Sequence, residues 1–175
     1  MRMQHNLERL LLIFLILGLV GCGYALVGRA SNIPEDVKSV YLAPFENETN
    51  RSQIDQILTQ AIANELVTRR RFSLASTVAE ADATLRGAVT QFRVTPVSFG
   101  RDGRADEYEI TIVAEMRFQR TDSEEILWEA SNYTFRENYE VDTDDTSFID
   151  LEDFALEETS IRFAQTMVSS LLEGF

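Results

Sequence analysis

The strictest pattern in the chain is an alternation of apolar and polar residues over positions 108–118. Successive side chains of a β-strand point to opposite faces of a sheet, so such a run has one buried face and one face in contact with solvent. The run therefore predicts a half-buried antiparallel strand. Its inward-facing residues are Tyr108, Ile110, Ile112, Ala114, Met116 and Phe118.

Two segments have the three- and four-residue spacing of an amphipathic helix. The first follows Ser52, and its apolar stripe consists of Ile54, Ile57, Leu58, Ala61, Ile62 and Leu66. Residues 69–71 are three arginines that close this helix, where cations interact favourably with the helix dipole. The second helix is predicted to begin at Phe148. Its stripe consists of Phe154, Ile161, Phe163, Ala164, Met167, Val168, Leu171 and Leu172.

Three other segments, residues 37–45, 83–97 and 126–139, are rich in β-branched and aromatic residues and predict strands. In the second of them the apolar phase changes near Thr90, which indicates a β-bulge. Pro96 indicates that this strand ends at a sheet edge or rim. The order β-α-β-β-β-α predicts an α+β fold, with two helices packed on one face of a four-stranded mixed, mostly antiparallel sheet.

The first 22 residues combine a basic start, an apolar run and a cysteine. Arg2 and Arg9 precede the apolar residues 10–20. A basic region followed by about 7–15 apolar residues is typical of a secretory signal peptide, and the run is too short for a bilayer span of about 20 residues. Residues 19–22, Leu-Val-Gly-Cys, resemble the bacterial lipobox, in which the cysteine becomes the acylated first residue.

We therefore predict a lipoprotein signal peptide over residues 1–21, a lipidated tether over residues 22–36 and a single domain over residues 37–175. Cys22 is the only cysteine, so a disulfide within the chain is impossible. Acyl chains such as palmitate on Cys22 would anchor the protein, since two chains suffice for stable membrane attachment.

The composition excludes several classes of function. The whole chain has a net charge of −13, and removal of Arg2, Glu8 and Arg9 with the leader leaves 14 basic and 28 acidic residues, a net charge near −14. This charge argues against nucleic acid as a partner, because nucleic-acid affinity comes from Lys and Arg at phosphates. It also argues against peripheral binding to anionic lipid.

The only histidine, His5, lies in the leader, so the mature chain has no histidine and no free thiol. Their absence removes Ser-His-Asp and Cys-His catalysis and the usual zinc sites. We predict that the protein is not an enzyme and binds no metal or cofactor. Carboxylate-only hydrolysis is the remaining enzymatic alternative.

Residues 98–105 form a turn-rich loop that contains Gly100, Gly103 and two arginines, Arg101 and Arg104. Guanidinium groups bind phosphate bidentately, so these arginines are candidate ligand contacts. The alternative is a solvated turn that binds nothing.

The acidic stretch from Asp142 to Asp153 has a weak similarity to a calcium loop. Ser147, however, stands where an EF-hand needs glycine for its sharp turn. The alternative is that the carboxylates of residues 150–153 complement the N-terminal dipole of the last helix.

Several short motifs resemble those of one family. The residues from Cys22 to Gly28, CGYALVG, resemble the CGY-x-L-x-G opening of the LptE family, the lipopolysaccharide-assembly lipoproteins of the bacterial outer membrane. The resemblance covers about residues 22–172. Further matches follow in order along the chain: residues 40–45 with Asn47-Glu48-Thr49, Ala81-Asp82-Ala83-Thr84-Leu85 with Gly87, Glu107-Tyr108, and Leu127-Trp128.

The resemblance implies two helices on a four-stranded sheet, an LptD-like β-barrel partner whose lumen the lipoprotein plugs, and contact with lipopolysaccharide. Arg101 matches a basic residue of the family's hairpin loop. A second basic residue of the family lies before the last helix, where this chain has Asp142, Asp144 and Asp145. Gly23 implies the outer membrane, because enterobacterial lipoproteins kept at the inner membrane have Asp there. The alternative is a generic outer-membrane interaction lipoprotein of another envelope complex.

Overall fold

The computed structural model describes residues 33–141 and 148–174, and it describes the side chains of the last helix from Ala155 onward. The predictions for Cys22, for the acidic residues 142–147 and for the side chain of Phe154 lie outside the described residues and stay predictions.

Two helices and six strands make up the described part of the chain. The helices are α1 (Ile54–Thr68) and α2 (Phe148–Glu173). A short 3₁₀ turn, Val78–Glu80, precedes β4. None of the helices in these residues combines the length and the hydropathy that a membrane span requires. The strands are β1 (Ser39–Leu42), β2 (Glu46–Asn47), β3 (Ser73–Leu74), β4 (Ala83–Phe99), β5 (Ala105–Arg120) and β6 (Ile126–Glu140).

The strands form one mixed sheet in the order β3-β1-β4-β5-β6, and β2 pairs with β4 beyond the end of β1. The strands β1, β2 and β3 are joined to their neighbours in parallel, whereas β4, β5 and β6 are antiparallel. The α+β prediction is therefore confirmed, but the sheet has six strands rather than four. The additional strands β2 and β3 have two residues each, which is too short to produce a periodic pattern.

The predicted strand over residues 37–45 consists of β1 and a bend. The strand β1 ends at Leu42, the amide of Ala43 still donates to the carbonyl of Leu85 at 2.9 Å, and the chain then rejoins β4 as β2. The bend places the aromatic ring of Phe45 in the core, where only 3% of the residue is exposed.

The core lies between the two helices and the inward face of the sheet. The β5 residues Ile110, Ile112, Ala114, Met116 and Phe118 are buried, as the alternation predicts. On α1 the residues Ile54, Leu58, Ile62 and Leu66 are buried, which confirms its apolar stripe. On α2 the ring of Phe163 meets Tyr133 and Phe135 of β6 edge-on, at centroid distances of 5.4 and 6.0 Å.

Ile161 was predicted to lie on the packed face of α2, and this prediction is wrong because Ile161 is 47% exposed. Adjacent Ser160 is fully buried. One residue further along a helix corresponds to a rotation of about 100°, which carries Ile161 from the core to the solvent. The prediction followed apolar identity, whereas the packed face of α2 includes the polar residues Thr159 and Ser160.

Beyond the first half of β4, the sheet consists of β4, β5 and β6 without β1, β2 or β3. The pairing of β4 with β1 and β2 ends at Val89, and the register of β4 with β5 shifts between Val89 and Gln91. This shift confirms the bulge near Thr90. Pro96 lies further along β4, where β5 is its only strand neighbour among the described residues, which agrees with the predicted rim position.

The β4-β5-β6 sheet has two distinct ends. At the base end, Ala83 of β4 is paired with Arg120 of β5. At the tip end, β4 and β5 are joined by the loop of residues 100–104. The strand β5 has 16 residues, and at about 3.3 Å per residue it spans roughly 50 Å between the two ends.

Candidate ligand site at the hairpin tip

The tip loop is shorter than the sequence predicts, because the strands extend to Phe99 and from Ala105. The amide of Gly100 donates to the carbonyl of Arg104 at 2.8 Å, and the amide of Gly103 donates to the carbonyl of Gly100 at 3.0 Å. Gly103 has φ +78°, a left-handed conformation that glycine adopts without a steric penalty. These bonds hold a tight five-residue loop at the end of two long strands.

The two arginines of the tip loop have different surroundings. The side chain of Asp102 accepts a hydrogen bond from the amide of Arg104 at 3.1 Å and lies 3.8 Å from its guanidinium Nε. Arg101 is exposed and forms no ion pair with the residues that the structure describes. The available cation of the tip is therefore Arg101, whereas the charge of Arg104 is partly balanced by its neighbour.

Two large apolar side chains are exposed beside these arginines. Val97 is 46% exposed and Phe99 is 63% exposed, and both belong to the last three residues of β4 before the loop. Neither residue is predicted from the sequence to belong to a site. The exposure of Phe99 could be predicted from the sequence. It is an aromatic residue directly before the glycine of a predicted hairpin loop, and such a position lies beyond the reach of the helices that cover the core.

Carboxylates lie directly below the tip. Asp106 and Glu107 open β5, and Glu107 is paired across the strands with Glu140 of β6. Like charges directly opposite each other are destabilising. Here the side-chain Nδ2 of Asn138 donates to Glu107 Oε1 at 3.0 Å and stabilises part of that charge. The cationic character of the tip is consequently confined to the loop itself.

The outward face of the sheet is polar and contains two open grooves. One groove, of about 370 Å³, is lined by Arg86, Ala88 and Glu115. The other, of about 400 Å³, lies closer to the tip around Thr111. Ion pairs of Arg117 with Glu129 (3.4 Å) and of Arg136 with Glu109 (3.8 Å) cross this face.

The base end is held by a network of polar side chains around residues 34–39. Arg120 bonds Asp36 at 2.6 Å and Asp122 at 3.3 Å. Asp82 accepts bonds from the amides of Lys38 (2.9 Å) and Ser39 (2.8 Å) and from the hydroxyl of Ser39 (2.8 Å). These backbone hydrogen bonds, with the hydroxyl, lower the pKa of Asp82 below its ordinary value.

The arginine run after α1 also contributes to the base end, beyond the dipole effect predicted from the sequence. Arg71 donates to the carbonyls of Val37 (2.9 Å) and Pro34 (3.2 Å). Arg69, directly after α1, bonds Glu65 of that helix and donates to the hydroxyl of Ser169 on α2 at 2.8 Å. Together with the burial of Ile33, which is 3% exposed, these bonds fix where the chain enters the domain.

No group of three His, Cys, Asp or Glu side chains within the described ranges is arranged to hold a metal ion. The calcium hypothesis concerned residues 142–153, of which 142–147 and the side chains of 148–154 are outside those ranges.

A sheet of antiparallel long strands with two helices on one face defines an α+β domain, and comparisons with known proteins identify its class. The solution structure of uncharacterized lipoprotein B from Nitrosomonas europaea superimposes with a TM-score of 0.54 at 13% identity, covering 86% of this chain and 90% of that one. The PelC dodecamer subunit from Paraburkholderia phytofirmans gives 0.51 at 16% identity, covering 81% and 91%. At these identities the likeness concerns the fold.

A model of the LptE family, described as lipopolysaccharide-assembly, matches residues 37–171. No curated protein matches the chain significantly in sequence. The family match covers all six strands, α1 and all but the last two residues of α2. The chain therefore belongs to the LptE family of lipopolysaccharide-assembly proteins, as its motifs indicate.

Proposed function

We propose that this chain is an outer-membrane lipoprotein, acylated at Cys22, that fills the lumen of an LptD-like β-barrel and presents its tip loop to lipopolysaccharide. The membership of the family supports a role in lipopolysaccharide assembly.

The observation that carries the proposal is the distance between the two ends of the sheet. Residues 33–39, which lead from the proposed anchor, are bonded at the base end, and Arg101 lies at the tip end. The separation of roughly 50 Å along β5 exceeds the hydrocarbon thickness of a bilayer, about 30 Å. A domain of this length inside a barrel therefore presents the tip loop toward one side of the membrane and residues 33–39 toward the other.

The outward face of the sheet supports a barrel lumen as the environment. The interior of an outer-membrane barrel is polar, unlike its lipid-facing surface. The outward face of β4-β5-β6 carries internally paired charges and uncharged polar residues such as Thr111 and Thr134. This surface suits a polar wall and would be costly against lipid chains.

The lipopolysaccharide contact rests on Arg101, with Arg104 as the weaker candidate because Asp102 lies beside it. Charge-assisted hydrogen bonds from guanidinium to phosphate are about twice as strong as neutral ones. We propose a non-enzymatic role, since the mature chain has no histidine or free thiol to support the common catalytic triads.

Affinity purification of the full chain from its own membranes tests the proposal. We expect a large β-barrel to be recovered with it in a fixed ratio, and we expect Cys22→Ser to remain an uncleaved precursor without acyl chains. Arg101→Glu should recover the barrel as the unchanged chain does. Recovery of a different envelope complex without a barrel would support the generic interaction lipoprotein instead.

A further inference from the structure

The tip combines features that phosphate recognition alone does not require. Binding of a phosphate by an arginine needs no apolar surface, yet Phe99 is 63% exposed and Val97 is 46% exposed close to Arg101 in the sequence. Exposing a large apolar side chain to water is unfavourable by about 25 cal/mol for each Å² of apolar surface. An uncompensated cation next to such a surface matches a molecule that has both an anionic group and a hydrocarbon chain.

We infer that Phe99 and Val97 contact an acyl chain of lipopolysaccharide while Arg101 binds a phosphate of its acylated disaccharide. The tip would then recognise the lipid end of the molecule and not its sugars. This inference rests on the proposed function, because it assigns the ligand of the same loop more narrowly.

The geometry of β4 and the loop supports a single two-part site. Phe99 is the last residue of β4 and is paired with Ala105, so the loop of Arg101 begins one residue beyond it. Gly100 lies between them, with its amide bonded to the carbonyl of Arg104 at 2.8 Å. The loop backbone is thereby fixed against the end of the strand that carries the aromatic ring, two residues before Arg101.

The position of the tip also favours an acylated ligand over an ordinary membrane surface. A bilayer surface would meet the neighbouring carboxylates Asp102, Asp106 and Glu107 as well as Arg101. These carboxylates would repel the many anionic headgroups of a bilayer surface. A single amphiphile, by contrast, can place one phosphate at Arg101 and its chain on Phe99. The inference therefore commits to lipopolysaccharide as the occupant.

The matched variants are Phe99→Ser and Ile126→Ser. Ile126 is 50% exposed and begins β6 at the base end, so it controls for a general loss of exposed apolar surface. The full chain, purified in detergent micelles, is titrated with intact lipopolysaccharide and with lipopolysaccharide whose acyl chains have been removed. Thermal unfolding of each variant verifies that the fold is retained.

We expect Phe99→Ser to weaken binding of intact lipopolysaccharide about tenfold and to leave binding of the deacylated form unchanged. Arg101→Gln should weaken the binding of both forms, and Ile126→Ser should weaken neither. Equal binding of intact lipopolysaccharide by Phe99→Ser and the unchanged chain would overturn the inference, while an effect of Arg101→Gln would leave the proposed ligand standing.

Two further outcomes separate the inference from its alternatives. If Ile126→Ser weakens binding as much as Phe99→Ser, the apolar contribution is adsorption to micelles and the inference fails. If vesicles of phosphatidylethanolamine and phosphatidylglycerol without lipopolysaccharide bind the unchanged chain equally well and lose it with Phe99→Ser, the occupant is a membrane surface. If the unchanged chain binds no form of lipopolysaccharide, the ligand part of the proposed function itself fails.

Discussion

At the base end of the sheet, the side chains of Asp82, Arg71 and Arg120 direct their hydrogen bonds to the chain's own backbone and carboxylates. At the tip end, the side chains of Arg101 and Phe99 are exposed. The hydrogen bonds there, from Asp102 and the loop amides, lie within the loop. The base end therefore fixes the entry of the chain into the domain. The tip end leaves a cationic and an apolar side chain exposed, next to a loop whose backbone is held by its own hydrogen bonds.

The difference between the ends predicts that truncation to alanine changes the free energy of unfolding by very different amounts at the two ends. Leu85 of β4 is fully buried near the base end, and Phe99 of the same strand is 63% exposed. Leu85→Ala should lower the free energy of unfolding by about 2–5 kcal/mol because it leaves a cavity in a packed core. Phe99→Ala should stay within about 0.5 kcal/mol. Denaturant titrations followed by circular dichroism measure both, and comparable losses would mean that the tip is packed against something.

A glycine near each end provides a second comparison. A Cβ on Gly87 would lie 2.7 Å from the carbonyl oxygen of Glu115 and 2.8 Å from the ring of Phe45, whereas a Cβ on Gly103 would meet nothing within 4 Å. Gly87→Ala should therefore cost about 1–3 kcal/mol through overpacking.

Gly103→Ala is limited to the strain of a left-handed backbone at φ +78°, about 1–2 kcal/mol. Thermal unfolding should accordingly shift more for Gly87→Ala. A larger shift for Gly103→Ala would indicate that the tip loop contributes more to stability than its few contacts imply.

Asp82 gives the base end a pH dependence. Hydrogen bonds from the backbone amides of Lys38 and Ser39 and from the Ser39 hydroxyl hold the pKa of Asp82 below its ordinary value in the folded protein. The contribution of Asp82 to the free energy of unfolding is therefore fully present above its unfolded-state pKa of about 3.9. This contribution is lost as the pH falls through the lower pKa of the folded protein.

Asp82→Ala should destabilise the domain by about 0.5–2 kcal/mol at neutral pH, the range for losing a side-chain acceptor of backbone amides. The difference between the two proteins should shrink below pH 4 and not above pH 6. A difference that is constant from neutral pH to pH 3 would show that the carboxylate charge plays no part.

The sequence predicts the elements whose apolar residues follow a regular period. The alternation in β5, the stripe of α1 and the phase change near Thr90 each reflect a regular geometry, and each has its counterpart in the structure. Two-residue strands such as β2 and β3 leave no period to detect, so the strand count was too low. Ile161 was misplaced because polar Thr159 and Ser160 occupy part of the packed face of α2.

The sites depend on contacts between distant parts of the chain, and most of these have no local signal. Asp82 acts on Lys38 and Ser39, which lie more than 40 residues earlier. Arg71 was interpreted as a dipole partner of α1, yet it donates to carbonyls of the entering segment. Arg101 and Arg104 could be proposed from the loop sequence and a family resemblance, but their inequality became visible only with the position of Asp102.

That inequality leads to the smallest predicted effect. Because Asp102 Oδ2 lies 3.8 Å from Arg104 Nε, whereas Arg101 forms no ion pair with a described residue, a ligand phosphate gains more from Arg101. Arg101→Glu should weaken lipopolysaccharide binding about three- to tenfold more than Arg104→Glu, which corresponds to roughly 1 kcal/mol. Both arginines are exposed, so each variant should keep the unfolding free energy within about 0.5 kcal/mol. Calorimetric titration of both variants and of Arg101→Gln measures the difference. Equal losses for the two charge reversals would mean that the loop acts through its summed charge, and the assignment of the phosphate to Arg101 would then be wrong.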